Sequence, residues 1–318
     1  MPVLQEQLHV GVATHIGPIS IFPVWTTSRS TINYTTQALS GLEVNELDPP
    51  RVDTLSVTNK SGRDILIPEG TVLFGGLQTR VLAADTLLAA GRSDLLEVRC
   101  IEQGRWGNRI PTAFAGRTPV TVMGALRGLS KRGRRTNRAD QADVWRRVNY
   151  YEKSYGSRAS SSLESILNMK MADMMAFDDV VTETKVRENF TKVVDYRKEL
   201  TELAANPLPG QNGVIIGLSG HPVLLETFSS EEAFREQFAA ILEAIAIDAP
   251  MAEDTHTTAD RAFKFARAAM EFELTPSEER SDILHGASEL LDVRSLVNSG
   301  DVLHTVAVNA KHKLVCAG

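Results

Sequence analysis

The sequence predicts an α+β protein: an N-terminal antiparallel β-sandwich or barrel-like sheet, a helical middle and a mixed β/α C-terminal part. Three observations carry this. Short apolar runs bounded by Gly, Asp or Ser fill the first third, the apolar spacing changes from two to three and four in the middle, and the last third shows both periods. With 318 residues, 42% hydrophobic and 23% charged, the chain is long enough to bury a substantial core.

Taken in order, "LHVGVATH" and "ISIFPV" predict two strands around the Gly17-Pro18 break, and "YTTQALSGLEVNEL" fits either a short helix or a strand. "TLSVTN" alternates with Leu55 and Val57 inward, "KSGR" turns, and "DILIPEG" resumes with Ile65 and Ile67 inward until Pro68 and Gly70 end it. "TVLFGG", "QTRVLAADTLLAAG" and "DLLEVRCIE" continue the β pattern. Alternation there puts Val98, Cys100 and Glu102 on one face, so a carboxylate follows two apolar residues inward.

In "RADQADVWRRVNYYEKSYG" the spacing of Val144, Val148 and Tyr151 predicts a helix, with Asn137 as its cap. From Thr184 to Ala204 a second helix carries Val186, Phe190, Val193, Leu200 and Leu203 as one stripe, and "NPLPGQNG" stops it. Between them, "SRASSSLESILNMKMADMMAFDD" reads as loop then helix. "GVIIGLSGHPVLLETF" predicts a hairpin turned at Ser219-Gly220. Ser229, three before Glu232, then announces a helix with Phe234, Phe238, Ile241, Leu242 and Ile245 inward. Another helix runs from Thr258 to Phe272 with Phe263, Ala266 and Met270 aligned, and two strands turned at Asn298-Ser299-Gly300 complete the pattern. The expected units are a β-rich core over 1–117, a helical segment with a basic run over 118–210 and a mixed part over 211–318, the last packed with the first as one compact unit and the helices on one side.

Two cysteines give neither a disulfide framework nor a zinc motif, which predicts a reducing, cytoplasmic setting. No leader-like start and no apolar run approaching a membrane span is visible, so no membrane is expected. Net charge is −6, but residues 127–147 hold eight cations against two anions, so the rest of the chain sums to −12. That basic segment suits a phosphate-bearing ligand, an acidic partner, a second copy in a homo-oligomer, or a carboxylate-rich surface of its own fold. Nucleic acid ranks below these, because aromatic residues are nearly missing until Trp145 and the remaining chain repels phosphate. GxSxG, P-loop, GxGxxG, HExxH and CxxC signatures are all missing, which removes the commonest enzyme classes. Glu253, Asp254, His256 and Asp260 read as an acidic helix start rather than a metal site, and no cofactor is indicated.

The informative stretch is 69–109. There Gln78 and Arg80 share a face if extended, and Glu102, Arg105 and Trp106 mark a strand end where a pocket can open. An inward Glu102 needs a partner, and Arg80 or Arg105 is expected to supply it. Two readings fit: an Arg–Glu pair and an indole locking strands, or guanidinium groups holding phosphate while Trp106 stacks on a base.

The segments "IPEGTVLFGGLQTRVL", "VRCIEQGRW", "DQADVW" and "GVIIGLSGHPVLLETFSSEEAFREQFAAILEAIAIDA" resemble, in this order, the domain family named for its association with ADP-ribosylglycohydrolases and rhodanese-phosphatases. The pattern maps onto Glu69, Gln78, Arg80, Cys100, Glu102, Gly104, Arg105, Trp106, Gln141 and Trp145. Thr71, Leu77, Thr79 and Glu226 depart from it. The resemblance implies a ligand of the ADP-ribose or NAD class, and leaves open whether the chain is an enzyme. On this expectation Gln78, Arg80, Arg105 and Trp106, joined by Arg134 and Arg135 of the basic segment acting as a flap, bind the ligand, and Glu102 orients an arginine or serves as catalytic general base. The alternative is a noncatalytic interaction or scaffold protein that uses 127–147 to contact an acidic partner.

Overall fold

Among the described residues the largest sheet has nine strands. β1 (Leu8–Val10) and β2 (Thr14–Ile16) both pair with β3 (Ile19–Thr26). The order continues through β15 (Gly213–Leu218), β16 (His221–Phe228), β20 (Asp301–Asn309), β19 (Leu291–Asn298), β18 (Ile283–Ala287) and β17 (Thr275–Pro276), all antiparallel. In this computed structural model the described residues are 7–37, 41–103, 110–129, 140–155, 161–163, 167 and 184–317.

A second antiparallel sheet, ordered β13 (Ile110–Arg117), β8 (Thr71–Gly76), β9 (Arg80–Leu82), β11 (Ser93–Cys100), β6 (Thr54–Asn59) and β5 (Leu42–Glu46), curls into a nearly closed barrel. Beside it lie β10 (Thr86–Leu88), β7 (Asp64–Ile67) and β4 (Tyr34–Thr35), and the short pair β12 (Glu102–Gln103) and β14 (Ser161–Ser162). The stretch that suited helix or strand thus supplies β4 and β5. Among the described residues the longer helices are α1 (Val120–Leu126), α2 (Gln141–Tyr155), α3 (Thr184–Ala204), α4 (Glu231–Asp248) and α5 (Ala259–Met270). The mixed α+β class expected from the sequence is the class observed. The proposed cap Asn137 and most of the Ser- and Met-rich stretch lie outside the described residues.

Period-two alternation explains why the strands of the large sheet read as unbroken apolar runs. Ile21, Val214, Ile216 and Val306 face one core, under α3 and α4; Phe22, Val24, Ile215 and Ala307 face a second, under α5. Helices therefore cover both faces, not one as expected. The barrel-like sheet divides its residues in the same way, with Leu73, Leu82 and Val98 in its own interior and Val72 and Val81 in the main core.

Two local expectations are corrected. Phe263 is 48% exposed, and α5 buries Ala262, Phe265, Ala266, Ala269 and Met270 instead. Residue 263 stands two positions from Phe265, about 200° around the helix, so both cannot face the sheet. At α4 the cap is Ser230, whose extended backbone lets Oγ accept from Ala233 N. Ser229 is unavailable for capping because it is buried with its Oγ 3.1 Å from Tyr34 Oη. Both Ser-Gly hairpin turns have positive φ at each position, Ser219 and Gly220 at 51° and 76°, Ser299 and Gly300 at 53° and 92°. This is the left-handed pair that matches strand twist across a two-residue loop.

Candidate functional site

The motif residues assemble at one corner of the barrel-like sheet. β9 and β11 set Arg80 opposite Cys100, and the first residue of α2 arrives from outside to seal the strand end. Gln141 Oε1 accepts from Cys100 N at 2.9 Å while Gln141 Nε2 donates to Cys100 O at 2.7 Å. One carboxamide supplies a donor and an acceptor, as a further strand residue would. The Cys100 thiol donates to Glu102 O at 3.0 Å. Burial pushes that thiol up, against the opposing effects of the Glu102 backbone, Arg80 and Trp145 one turn along α2, so the packing around Cys100 favours the thiol over the thiolate.

Glu102 is buried, and its Oε2 accepts from Thr79 N at 2.9 Å. Arg80, 1% exposed, donates to Gln78 O at 3.0 Å and to Arg51 O at 3.4 Å, and its Nη2 lies 3.6 Å from Glu46 Oε2. The acid that Arg80 faces as an ion pair is thus Glu46, where Glu102 was one expectation; Glu46 Oε1 also accepts from Leu77 N at 2.8 Å. Gln78, Arg80 and Glu102 come together through the bend before β9, where Gln78 Nε2 donates to Glu102 O at 3.4 Å, and Gln141 and Trp145 join them. Arg105, Trp106, Arg134 and Arg135 lie outside the described residues. The corner opens to a cleft of about 470 Å³ lined by Arg51, Val52, Asp53, Arg99 and Gln141.

A second cluster escaped the sequence reading. Single charged residues interrupt the apolar strands of the large sheet, in "LLETF", "VLHTVAV" and "LLDVRSLV", and that interruption is the signal that was available. Glu226 on β16, His304 on β20 and Asp292 on β19 point into the seam with the barrel-like sheet, where Glu69, Asp85, Arg117 and Arg127 meet them. His304 Nδ1 lies 2.7 Å from Asp85 Oδ2 and Nε2 lies 3.0 Å from Glu226 Oε1. Arg117 donates to the same Glu226 oxygen at 3.0 Å, and Glu69 N donates to Asp85 at 2.6 Å. Burial alone pushes the imidazole down, but Asp85 and Glu226 on its two nitrogens reverse this and hold it at about 9. Burial likewise opposes ionisation of Asp85 and Glu226, yet His304 and Arg117 hold both below their ordinary values. His304 is therefore an imidazolium clamped between two carboxylates.

The seam continues through Arg127, which is fully buried and donates to Glu69 Oε2 at 2.8 Å and to Asp292 Oδ1 at 3.1 Å. Arg294 donates to Glu69 Oε1 at 3.1 Å, and His285 Nε2 lies 3.0 Å from Asp292 Oδ2. This end opens to a cleft of about 390 Å³ whose lining includes Glu97, Arg127, Arg280, His285, Asp292 and Arg294. Glu97 of this cleft and Arg99 of the first form an ion pair at 2.6 Å, so the two concavities share a wall. Among the described residues no group of three or more His, Cys, Asp or Glu is placed to hold a metal ion, and no helix is long and apolar enough to cross a membrane.

A barrel-like sheet joined to a two-faced antiparallel sheet through a buried ionic seam, with its motif residues gathered at one strand end, defines an α+β domain of the kind the sequence pattern suggested. The chain belongs to the ARG and Rhodanese-Phosphatase-superfamily-associated Protein domain family (ARPP-1), whose model matches residues 7–308. No curated protein and no solved structure matches it.

Proposed function

We propose that this chain binds, and processes if it is an enzyme, a phosphate-bearing nucleotide derivative of the ADP-ribose or NAD class, in a cytosolic pathway, at the cleft lined by Arg51, Arg99 and Gln141. The observation that supports this reading is the meeting of motif residues from remote segments, Gln78, Arg80, Cys100, Glu102, Gln141 and Trp145, beside an open concavity with two guanidinium groups at its wall. Arginine suits phosphate because its planar N–H fork matches two oxygens at once. In this reading Arg80 holds Arg51 from beneath, Arg105 grips phosphate, Trp106 stacks on the base, and Arg134 and Arg135 approach the bound anion. Glu102, already accepting from Thr79 N, positions the turn before β9 and is the candidate base.

A thermal-shift panel of ADP-ribose, NAD and cyclic nucleotides tests it. At about 100 times Kd a ligand adds roughly 2.7 kcal/mol, enough to raise Tm by several degrees. The expected result is a rise with at least one compound that Arg99→Ala and Arg105→Ala each abolish while the protein stays folded. No rise with any compound overturns the proposal. A change of oligomeric state on reversing Arg132, Arg134 and Arg135, without any small-molecule response, favours the interaction protein instead.

A further inference from the structure

His285 and Arg294 are direct cross-strand partners on β18 and β19, so their side chains leave the sheet side by side into the 390 Å³ cleft. Each is anchored by one end only. His285, with its side chain 38% exposed, is engaged through Nε2 by Asp292 Oδ2 at 3.0 Å. Asp292 is itself buried, and its other oxygen accepts from Arg127 at 3.1 Å. Burial opposes its ionisation, but His285, Arg127 and Arg294 outweigh this and hold it well below the carboxylate range. An ionised Asp292 accepts only, so the imidazole donates its Nε2–H, and in the tautomer this fixes the lone pair is on Nδ1. Arg294 spends Nη1 on Glu69 Oε1 and Ala83 O, and its side chain keeps 20% exposure. Among the described residues, neither His285 Nδ1 nor Arg294 Nη2 has a hydrogen-bond partner.

The cleft therefore presents an acceptor and a charged donor next to each other, both fixed from behind by the ionic seam. We propose that His285 and Arg294 form an oxyanion site, separate from the nucleotide cleft, that selects inorganic hydrogen phosphate over oxyanions lacking a proton of their own. Arg294 Nη2 donates to a phosphate oxygen, and the remaining P–O–H donates to His285 Nδ1. Sulfate satisfies the arginine but sets a lone pair against the imidazole lone pair, and a phosphomonoester dianion does the same. Discrimination of this sort comes from a polar group left unpaired in the wrong complex. Arg280, also on the cleft wall, is committed to Asp282 and to Asp85 O, so it shapes the cleft without adding a free donor.

The test is histidine-labelled NMR of the full chain at pH 8, titrated separately with inorganic phosphate, sulfate and phenyl phosphate. Long-range nitrogen–proton correlations read the tautomer of His285 directly. The expected result is the Nε2–H form before addition, a saturable shift of the His285 ring with phosphate, and at least tenfold weaker binding of sulfate and phenyl phosphate. Arg294→Gln, checked for folding by its melting curve, removes the phosphate response. The wild-type titrations stand on their own if that variant does not fold. An Nδ1–H tautomer, equal responses to phosphate and sulfate, or no response of His285 to phosphate overturns the proposal.

Discussion

Gln141 holds Cys100 by both ends of its carboxamide, at 2.9 and 2.7 Å, and so joins the first turn of α2 to the edge of the barrel-like sheet. Two segments 41 residues apart are fixed to each other by one side chain, at the point where the cleft of Arg51 and Arg99 opens.

Replacing that side chain tests how much the junction holds. Gln141→Leu keeps the size but leaves Cys100 N–H and C=O without these partners, which costs about 1–3 kcal/mol per orphaned group. Gln141→Glu loses the donor and keeps the acceptor, so it should fall between wild type and Leu. Urea unfolding at constant m-value checks the order; equal midpoints for all three would show that the contact carries no stability.

The seam makes stability depend on pH in a defined direction. His304 is raised from 6.5 to about 9, so its contribution is fully present below the unfolded value and is lost as pH rises through 9. The loss is on the order of 3 kcal/mol. Asp248, raised by burial to about 7, acts in the same sense and loses its contribution as pH climbs through neutrality. Asp85, Glu226 and Asp292 are lowered, and their contribution disappears only as pH falls through their folded values. Urea midpoints should therefore peak at about pH 4–5, above which first Asp248 and then His304 lose their contributions, and drop by pH 9.5. A midpoint that keeps rising into the alkaline range contradicts the clamp.

His304→Ala removes the cation between two buried carboxylates. Breaking such an arrangement by deleting one partner costs about 3–5 kcal/mol. Double replacement with Glu226→Gln should recover part of this loss. That recovery, measured as a double-mutant cycle, separates charge repulsion from simple loss of packing.

Gly124 lies inside α1, where helix propensity favours alanine by about 1 kcal/mol. A Cβ there would stand 1.9 Å from Val315 O, a backbone atom with no freedom to rotate aside. Gly124→Ala should therefore destabilise by about 1–3 kcal/mol despite the propensity. A gain in Tm would mean that α1 and the segment around Val315 separate more readily than their packing implies.

On α5 the two phenylalanines give opposite outcomes. Phe265→Ala removes a buried ring and costs about 3–5 kcal/mol, whereas Phe263→Ser changes stability by less than about 0.5 kcal/mol. Thermal melts of the pair decide which face meets the sheet.

Local periodicity made most of the architecture readable. Alternation placed Leu55, Val57, Ile65 and Ile67 inward, and the helix from Thr184 to Ala204 has the bounds its stripe suggested. Periodicity failed at Phe263 because a short amphipathic helix offers two overlapping stripes, and only the sheet beneath chooses between them. The pairing of Arg80 with Glu46 was not readable, since the nearer acid in sequence, Glu102, is turned toward Thr79 N. The ionic seam was hidden for another reason. Glu69, Asp85, Arg117, Arg127, Glu226, Asp292 and His304 come from seven separate segments, and each looks like an isolated imperfection until the two sheets meet.

β3 pairs with β1 and β2, its neighbours in the chain, but its other edge stays open until β15 arrives, with Val24 set against Gly213. During synthesis nearly two hundred residues must leave the ribosome before that edge is covered, so the early strands wait as an adhesive template. The large sheet is therefore completed late, and a nascent chain halted in α2 or α3 should depend on chaperones in a way that the finished protein does not.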